Sequence, residues 1–102
     1  MIADIARHKA AIDEICRRHH VRSLELFGSA ATGRFRPGES DFDFLVEFEP
    51  MPQGGYFDAY FGVAESLADL LRGPVDLVVG SAITNPYVRQ SVDASRVPVY
   101  AA

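Results

Sequence analysis

Apolar side chains recur at Ile2, Ile5, Ala6, Ile12, Ile15 and Cys16, close to the helical period, so residues 2–19 read as an amphipathic helix. Arg17, Arg18, His19 and His20 load its C-terminal end, where cations suit the helix dipole. The period then changes. Val21, Ser23, Glu25 and Phe27 alternate with Arg22, Leu24 and Leu26, and the run stops at Gly28, which makes 21–27 a strand. Ser29 is an N-cap residue for a short helical turn through Ala30, Ala31 and Thr32, which Gly33 ends, and RPGES at 36–40 is turn chemistry. DFDFLVEF at 41–48 is the second strand. Residues 55–72 form the second long helix, whose apolar positions from Tyr56 to Leu71 cover about half its circumference, wider than the roughly 100° stripe that one core face needs. The Tyr56, Phe57, Tyr60 and Phe61 group is therefore expected mainly in the core, with a remainder turned outward toward a partner. Gly73-Pro74 breaks this helix, VDLVV at 75–79 is a third strand, and Gly80-Ser81 turns. A last helical stretch follows Pro86 up to about Ala94. Residues 97–100 can only be an edge strand or an extended tail, because Pro98 cannot donate to a ladder. The order helix, strand, helical turn, strand, helix, strand, helix predicts an α/β or α+β fold, a small mixed sheet flanked by helices.

Composition narrows the partners rather than the fold. The 102 residues, 48% hydrophobic and 24% charged, fit one globular domain spanning 1–102, with no repeat or linker. A net charge of −4 leaves no surplus of Lys and Arg to neutralise a run of phosphates, so a long nucleic acid is not the expected partner. The segment MIADIARHKAAIDE has no continuous apolar stretch and no window reaches membrane-spanning length, so neither a leader nor an anchor is expected. Cys16 is the only cysteine, which excludes an internal disulfide and a multi-cysteine zinc site and makes a reducing, cytoplasmic compartment the expectation. Its place near Ile5 and Ile12 marks a buried small hydrophobe rather than a nucleophile. His8, His19 and His20 have no carboxylate or cysteine at ligand spacing and are expected at the surface without chemistry.

The chemistry is concentrated in LFGSAATGRFRPGESDFDFLVEFEP, residues 26–50. Side chains at i and i+2 of a strand share a face, so Asp41 and Asp43 are neighbours while Phe42, Phe44 and Val46 point to the core. Two carboxylates that close repel by about 1 kcal/mol in bulk water and by more where solvent is excluded. A divalent cation compensates naturally, since Mg²⁺ favours one or two carboxylates combined with substrate phosphates. Asp76, the one polar residue of GPVDLVVG, is a third carboxylate if its strand lies beside the Asp41 strand. Gly28 lets backbone approach a phosphate, and the Ser29 hydroxyl with the amides opening the following turn offers donors to an anion. The plainer readings remain: a solvated strand start for the aspartates, an ion pair of Asp76 with Arg72 or Arg89, and a mere capped turn for Gly28-Ser29. The first of these explains neither of the other two features.

These residues carry a resemblance. GSAATGRFRPGESDFDFLVEF resembles the Gly-Ser, spacer, Asp-x-Asp signature of the DNA polymerase β-like nucleotidyltransferases, in the minimal branch of MNT or MntA-like antitoxins. VDLVV with Asp76 is similar to that family's third acidic strand, and 81–100 to its C-terminal helix and apolar-Tyr end, so the likeness covers essentially the whole chain. The resemblance implies two Mg²⁺ ions on Asp41, Asp43 and Asp76, a triphosphate gripped by Gly28 and Ser29, and ATP as donor. It also implies a HEPN-type RNase toxin as partner in a hetero-oligomer, neutralised by transfer of AMP to one of its tyrosines. One departure is visible: Thr32 stands where many relatives have Arg, so either Arg34 or Arg36 serves the phosphates instead, or both are solvated loop charges and nucleotide affinity is weaker. Two rival expectations keep the fold: an antitoxin that inhibits by contact alone, and a nucleotidyltransferase acting on a small molecule or an RNA end.

Overall fold

The computed structural model describes residues 2–52 and 54–102. Its N-terminal helical stretch is divided at His8 into α1 (Ile2–Arg7) and α2 (Lys9–Arg18), where a continuous helix was expected. His8 leaves helical geometry (φ −102°, ψ 17°), and its amide reaches back to the Asp4 and Ile5 carbonyls at 3.3 and 3.2 Å. Ile5 is nevertheless buried together with Ile12, Ile15 and Cys16. The apolar period therefore reads straight through the break.

The remaining elements are β1 (Val21–Phe27), α3 (Ser29–Thr32), β2 (Phe42–Phe48), α4 (Gly55–Leu71), β3 (Val75–Val79), a 3₁₀ turn (Gly80–Ala82), α5 (Pro86–Ser95) and β4 (Val97–Ala101). The strands make one mixed sheet in the order β3-β2-β1-β4, in which β1 runs antiparallel to both β2 and β4 while β2 and β3 are parallel. A register shift between Val21 and Ser23 turns the first residue of β1 inward, so Val21, Leu24 and Leu26 are all buried although strict alternation separates Val21 from the other two. The C-terminal segment is an edge strand rather than a loose tail, with Pro98 opposite Glu25 on the outermost strand. Lys9 Nζ ties α2 to that edge through the Val99 carbonyl at 2.7 Å.

The core lies on one face of the sheet. Leu24, Leu26, Phe42, Phe44, Val46 and Leu77 meet Ile12, Ile15 and Cys16 of α2 and Ala59, Val63 and Leu67 of α4 there. The other face carries Glu25 and Phe27 of β1 with Asp43 and Leu45 of β2, and α5 packs against β1. Leu45 and Val92 are buried as well, outside the main core cluster. Helix α4 carries more apolar surface than the core takes up. Tyr60 is half-buried and donates its hydroxyl to the Leu77 carbonyl, whereas Phe57 is 69% exposed and Tyr56 and Phe61 are also exposed. The aromatic group expected mainly inside lies mainly outside, because Ala59, Val63 and Leu67 alone form the buried stripe.

Candidate functional site

Parallel pairing of β2 with β3 decides the site. It sets Asp43 directly opposite Asp76, and the antiparallel pairing on the other side sets Phe27 opposite Asp43. The end of β1 and the turn that follows it are thereby brought beside the Asp43 carboxylate. Asp41 lies one residue ahead of β2, whose first residue is Phe42, and is exposed; the strand starts one residue later than its sequence suggests. Packing of Phe35 on Phe42, with ring centroids 4.5 Å apart, holds the 34–41 loop down next to it.

Gly28 has φ +72° and ψ −149°, a region essentially reserved for glycine. A Cβ at that position would run into the Asp43 carboxylate, with Cγ 3.3 Å away. The glycine is therefore required twice, by its backbone and by its neighbour. Gly28, not Ser29, is the N-cap of α3: the Ala31 amide donates to the Gly28 carbonyl at 3.1 Å, and no side chain caps the turn. Ser29 is the first helical residue and its hydroxyl is not used in capping. Gly33 ends α3 in the left-handed conformation as its sequence predicts (φ 80°).

The electrostatics single out Asp43. Burial raises its carboxyl above the ordinary value, and the charges of Asp76 and then Asp41 raise it further. Among the described residues no Lys, Arg or His forms an ion pair with any of the three aspartates. Arg89, one of the two arginines considered for Asp76, donates to the Gly80 carbonyl at 2.6 Å instead. The three carboxylates thus share one field of like charge without a protein cation to relieve it. Such a donor set, all hard oxygen and uncompensated, suits Mg²⁺. Among the described residues no three His, Cys, Asp or Glu side chains close around a common point. An ion held here would complete its shell from substrate phosphates and water, the habit of Mg²⁺.

A cavity of about 420 Å³ opens from the Gly28-Ser29 turn toward α5, lined also by Thr32, Arg34, Ser91 and Ser95. Arg34 is the cationic residue of this lining. Arg36 lies in the next turn, where its guanidinium is 3.9 Å from Glu39 and its amide is bound by Ser40. The Thr32 hydroxyl faces back onto the Gly28 and Ser29 carbonyls at 3.2 and 3.5 Å. Ser95 is a member of this site that sequence reasoning missed, since it comes from a helix 67 positions away and carries no motif. A second, apolar groove of about 390 Å³ runs along Tyr56, Phe57, Tyr60 and Phe61, and neither hollow is lined by Asp41, Asp43 or Asp76. Cys16 is fully buried and its thiol is pushed up to about 12 by burial and by Asp13, so it is unreactive. His19 is half-buried rather than on the surface, against Gly62 of α4, and burial with Arg18 and His20 lowers its pKa.

The match to known proteins agrees with this geometry. Residues 8–99 match the nucleotidyltransferase domain family, and the chain belongs to that family. A Methanocaldococcus jannaschii protein named as a candidate protein adenylyltransferase is 39% identical over 93 residues, which is 90% of this chain and 88% of the relative. A solved structure described as a candidate minimal nucleotidyltransferase superposes with a TM-score of 0.73 at 30% identity, covering 91% of this chain and 90% of its own. The fold is shared with two toxin–antitoxin structures. One, solved with AMP-PNP, has a TM-score of 0.69 at 23% identity over 92% of this chain and 73% of that one. The other, a tri-AMPylated Shewanella oneidensis HEPN toxin with its MNT antitoxin, has a TM-score of 0.63 at 20% identity over 96% and 73%. The protein is a nucleotidyltransferase by family and by fold.

Proposed function

We propose that this protein is a Mg²⁺-dependent antitoxin that transfers AMP from ATP to a tyrosine of a HEPN-type RNase toxin and so neutralises it. The observation that carries the reading is Asp43, pressed against the Gly28 turn on one side and paired with Asp76 on the other. Asp41, Asp43 and Asp76 are the residues that hold the metal, and Gly28 and Ser29 receive the triphosphate. Mg²⁺, when bound, offsets charge on the phosphates and lowers the pKa of the acceptor hydroxyl. Arg34 takes over the cationic role at the phosphates that Thr32 cannot perform. The 102 residues act as one domain, and the toxin supplies the acceptor as the second member of a hetero-oligomer in the cytoplasm. Among the described residues no helix is long and apolar enough to cross a membrane. The toxin–antitoxin structures that share the fold, one of them AMPylated, support this choice of partner.

The reading is tested by incubating the protein with α-labelled ATP, Mg²⁺ and the product of the neighbouring gene. Label is expected on the partner, and Asp41→Asn or Asp43→Asn is expected to reduce it by about 10²-fold or more, the scale on which loss of a charge-stabilising group acts. Tight binding without any transfer leaves inhibition by contact alone. Transfer to an aminoglycoside or an RNA 3′ end in place of the partner redirects the enzyme to another acceptor.

A further inference from the structure

The Gly28 amide already has a partner: it donates to Ser95 Oγ at 2.9 Å. Glycine visits positive and negative φ about equally readily, so the left-handed conformation that brings this turn against Asp43 is not selected by the residue alone. A contact from elsewhere in the fold has to select it. Ser95 is the last residue of α5, and that helix end is itself fixed. Arg96 forks onto Glu25 of β1, with Nε 3.0 Å from Oε2 and Nη2 bound to Oε1, and Nη1 holds Asp93 at 2.6 Å. A two-toothed guanidinium–carboxylate contact fixes direction as well as distance. Glu25 lies two residues before Phe27, the strand partner of Asp43. The strand that leads into Gly28 thus anchors the helix that holds the Gly28 amide.

The geometry points to Ser95 as a positioning residue for the nucleotide, acting through the Gly28 peptide. The inference rests on the nucleotidyltransferase reading and adds to it a residue outside both the Gly-Ser and the Asp-x-Asp motifs. A serine hydroxyl accepts and donates at the same time, so Ser95 keeps its own proton for the cavity it lines with Ser29 and Arg34. Losing the acceptor frees the Gly28 peptide to leave the conformation in which this turn lies against the Asp43 carboxylate.

Two readouts on the full chain test this, with Ser95→Ala and Ser95→Thr compared to the unaltered protein. Amide hydrogen exchange at Gly28 is expected to quicken about five-fold in Ser95→Ala, the factor that one ordinary hydrogen bond carries. Exchange at Leu24 and Phe44 is expected to stay as it was. Calorimetric titration with AMP-PNP and Mg²⁺ is expected to give a Kd weakened by a similar factor, and Ser95→Thr to restore both. Unchanged exchange at Gly28 overturns the inference, and so does faster exchange with unaltered affinity. Exchange quickened equally throughout the core also overturns it, since the change is then one of global stability. If the unaltered protein does not bind AMP-PNP, the nucleotidyltransferase reading fails and takes the positioning role with it. Binding that Ser95→Ala leaves untouched defeats the inference alone.

Discussion

Asp43 sits where burial and two neighbouring carboxylates disfavour its charge, and the effect has a measurable sign. A carboxyl whose pKa is raised on folding binds more protons in the folded state, so stability falls as pH rises from the ordinary carboxylate value through the folded one. Asp43→Asn removes that loss. Its melting temperature is expected to exceed that of the unaltered protein by a few degrees at pH 7 without metal, and the difference to vanish near pH 3, as thermal scans across pH will read. A variant that melts no higher at pH 7 argues against the crowding of charge. Gly28→Ala is expected to act in the opposite direction. It forces a side chain into a glycine-only conformation and onto the Asp43 carboxylate, costing about 1–3 kcal/mol by denaturant titration and abolishing transfer. The need for Gly28 was legible only in part. The Gly-Ser pair suggested a tight approach to phosphate, but the clash with Asp43 depends on strands β1 and β2 being side by side.

At the scale of elements, α4 has two faces with different duties. Leu67 is fully buried between helix and sheet, so Leu67→Ala is expected to cost about 2–5 kcal/mol in a denaturant titration. Phe57 lies on the same helix and is more than two-thirds exposed, so Phe57→Ser is expected to change stability by less than about 0.5 kcal/mol. The same substitution is expected to reduce self-association of the isolated protein in light scattering, because it breaks an apolar strip that Phe57 forms with Phe61, whose ring centroid is 4.8 Å away. Equal losses at the two positions would contradict this division. The helical wheel showed that the apolar arc was too wide for one core face. It could not show which part of the arc met the core, since that depends on the rotation α4 adopts as Ala59, Val63 and Leu67 turn inward. The break at His8 was invisible for a related reason: Ile5 before the bend is buried like Ile12, Ile15 and Cys16 after it, so the pattern is the same with or without the bend.

For the whole molecule, the test of the site is linkage. A ligand that binds only the folded state raises stability by mass action, by about 2.7 kcal/mol at a hundredfold excess over its dissociation constant. AMP-PNP with Mg²⁺ is therefore expected to raise the melting temperature by several degrees, and Asp43→Asn to lose most of that rise while keeping its own higher starting value. A scan that ligand and metal leave unmoved would remove the polyphosphate site. The sequence by itself determined the place and order of the first three strands, the Gly28-Ser29 turn and the identity of three candidate aspartates, because period, breakers and turn chemistry are local properties of the chain. Tertiary structure alone decided that β3 pairs with β2, setting Asp76 opposite Asp43, that Arg34 rather than Arg36 stands at the turn, and that Ser95 holds the Gly28 amide. The first and last of these join positions tens of residues apart, fixed by how the two faces of the sheet are covered, and no local pattern encodes them.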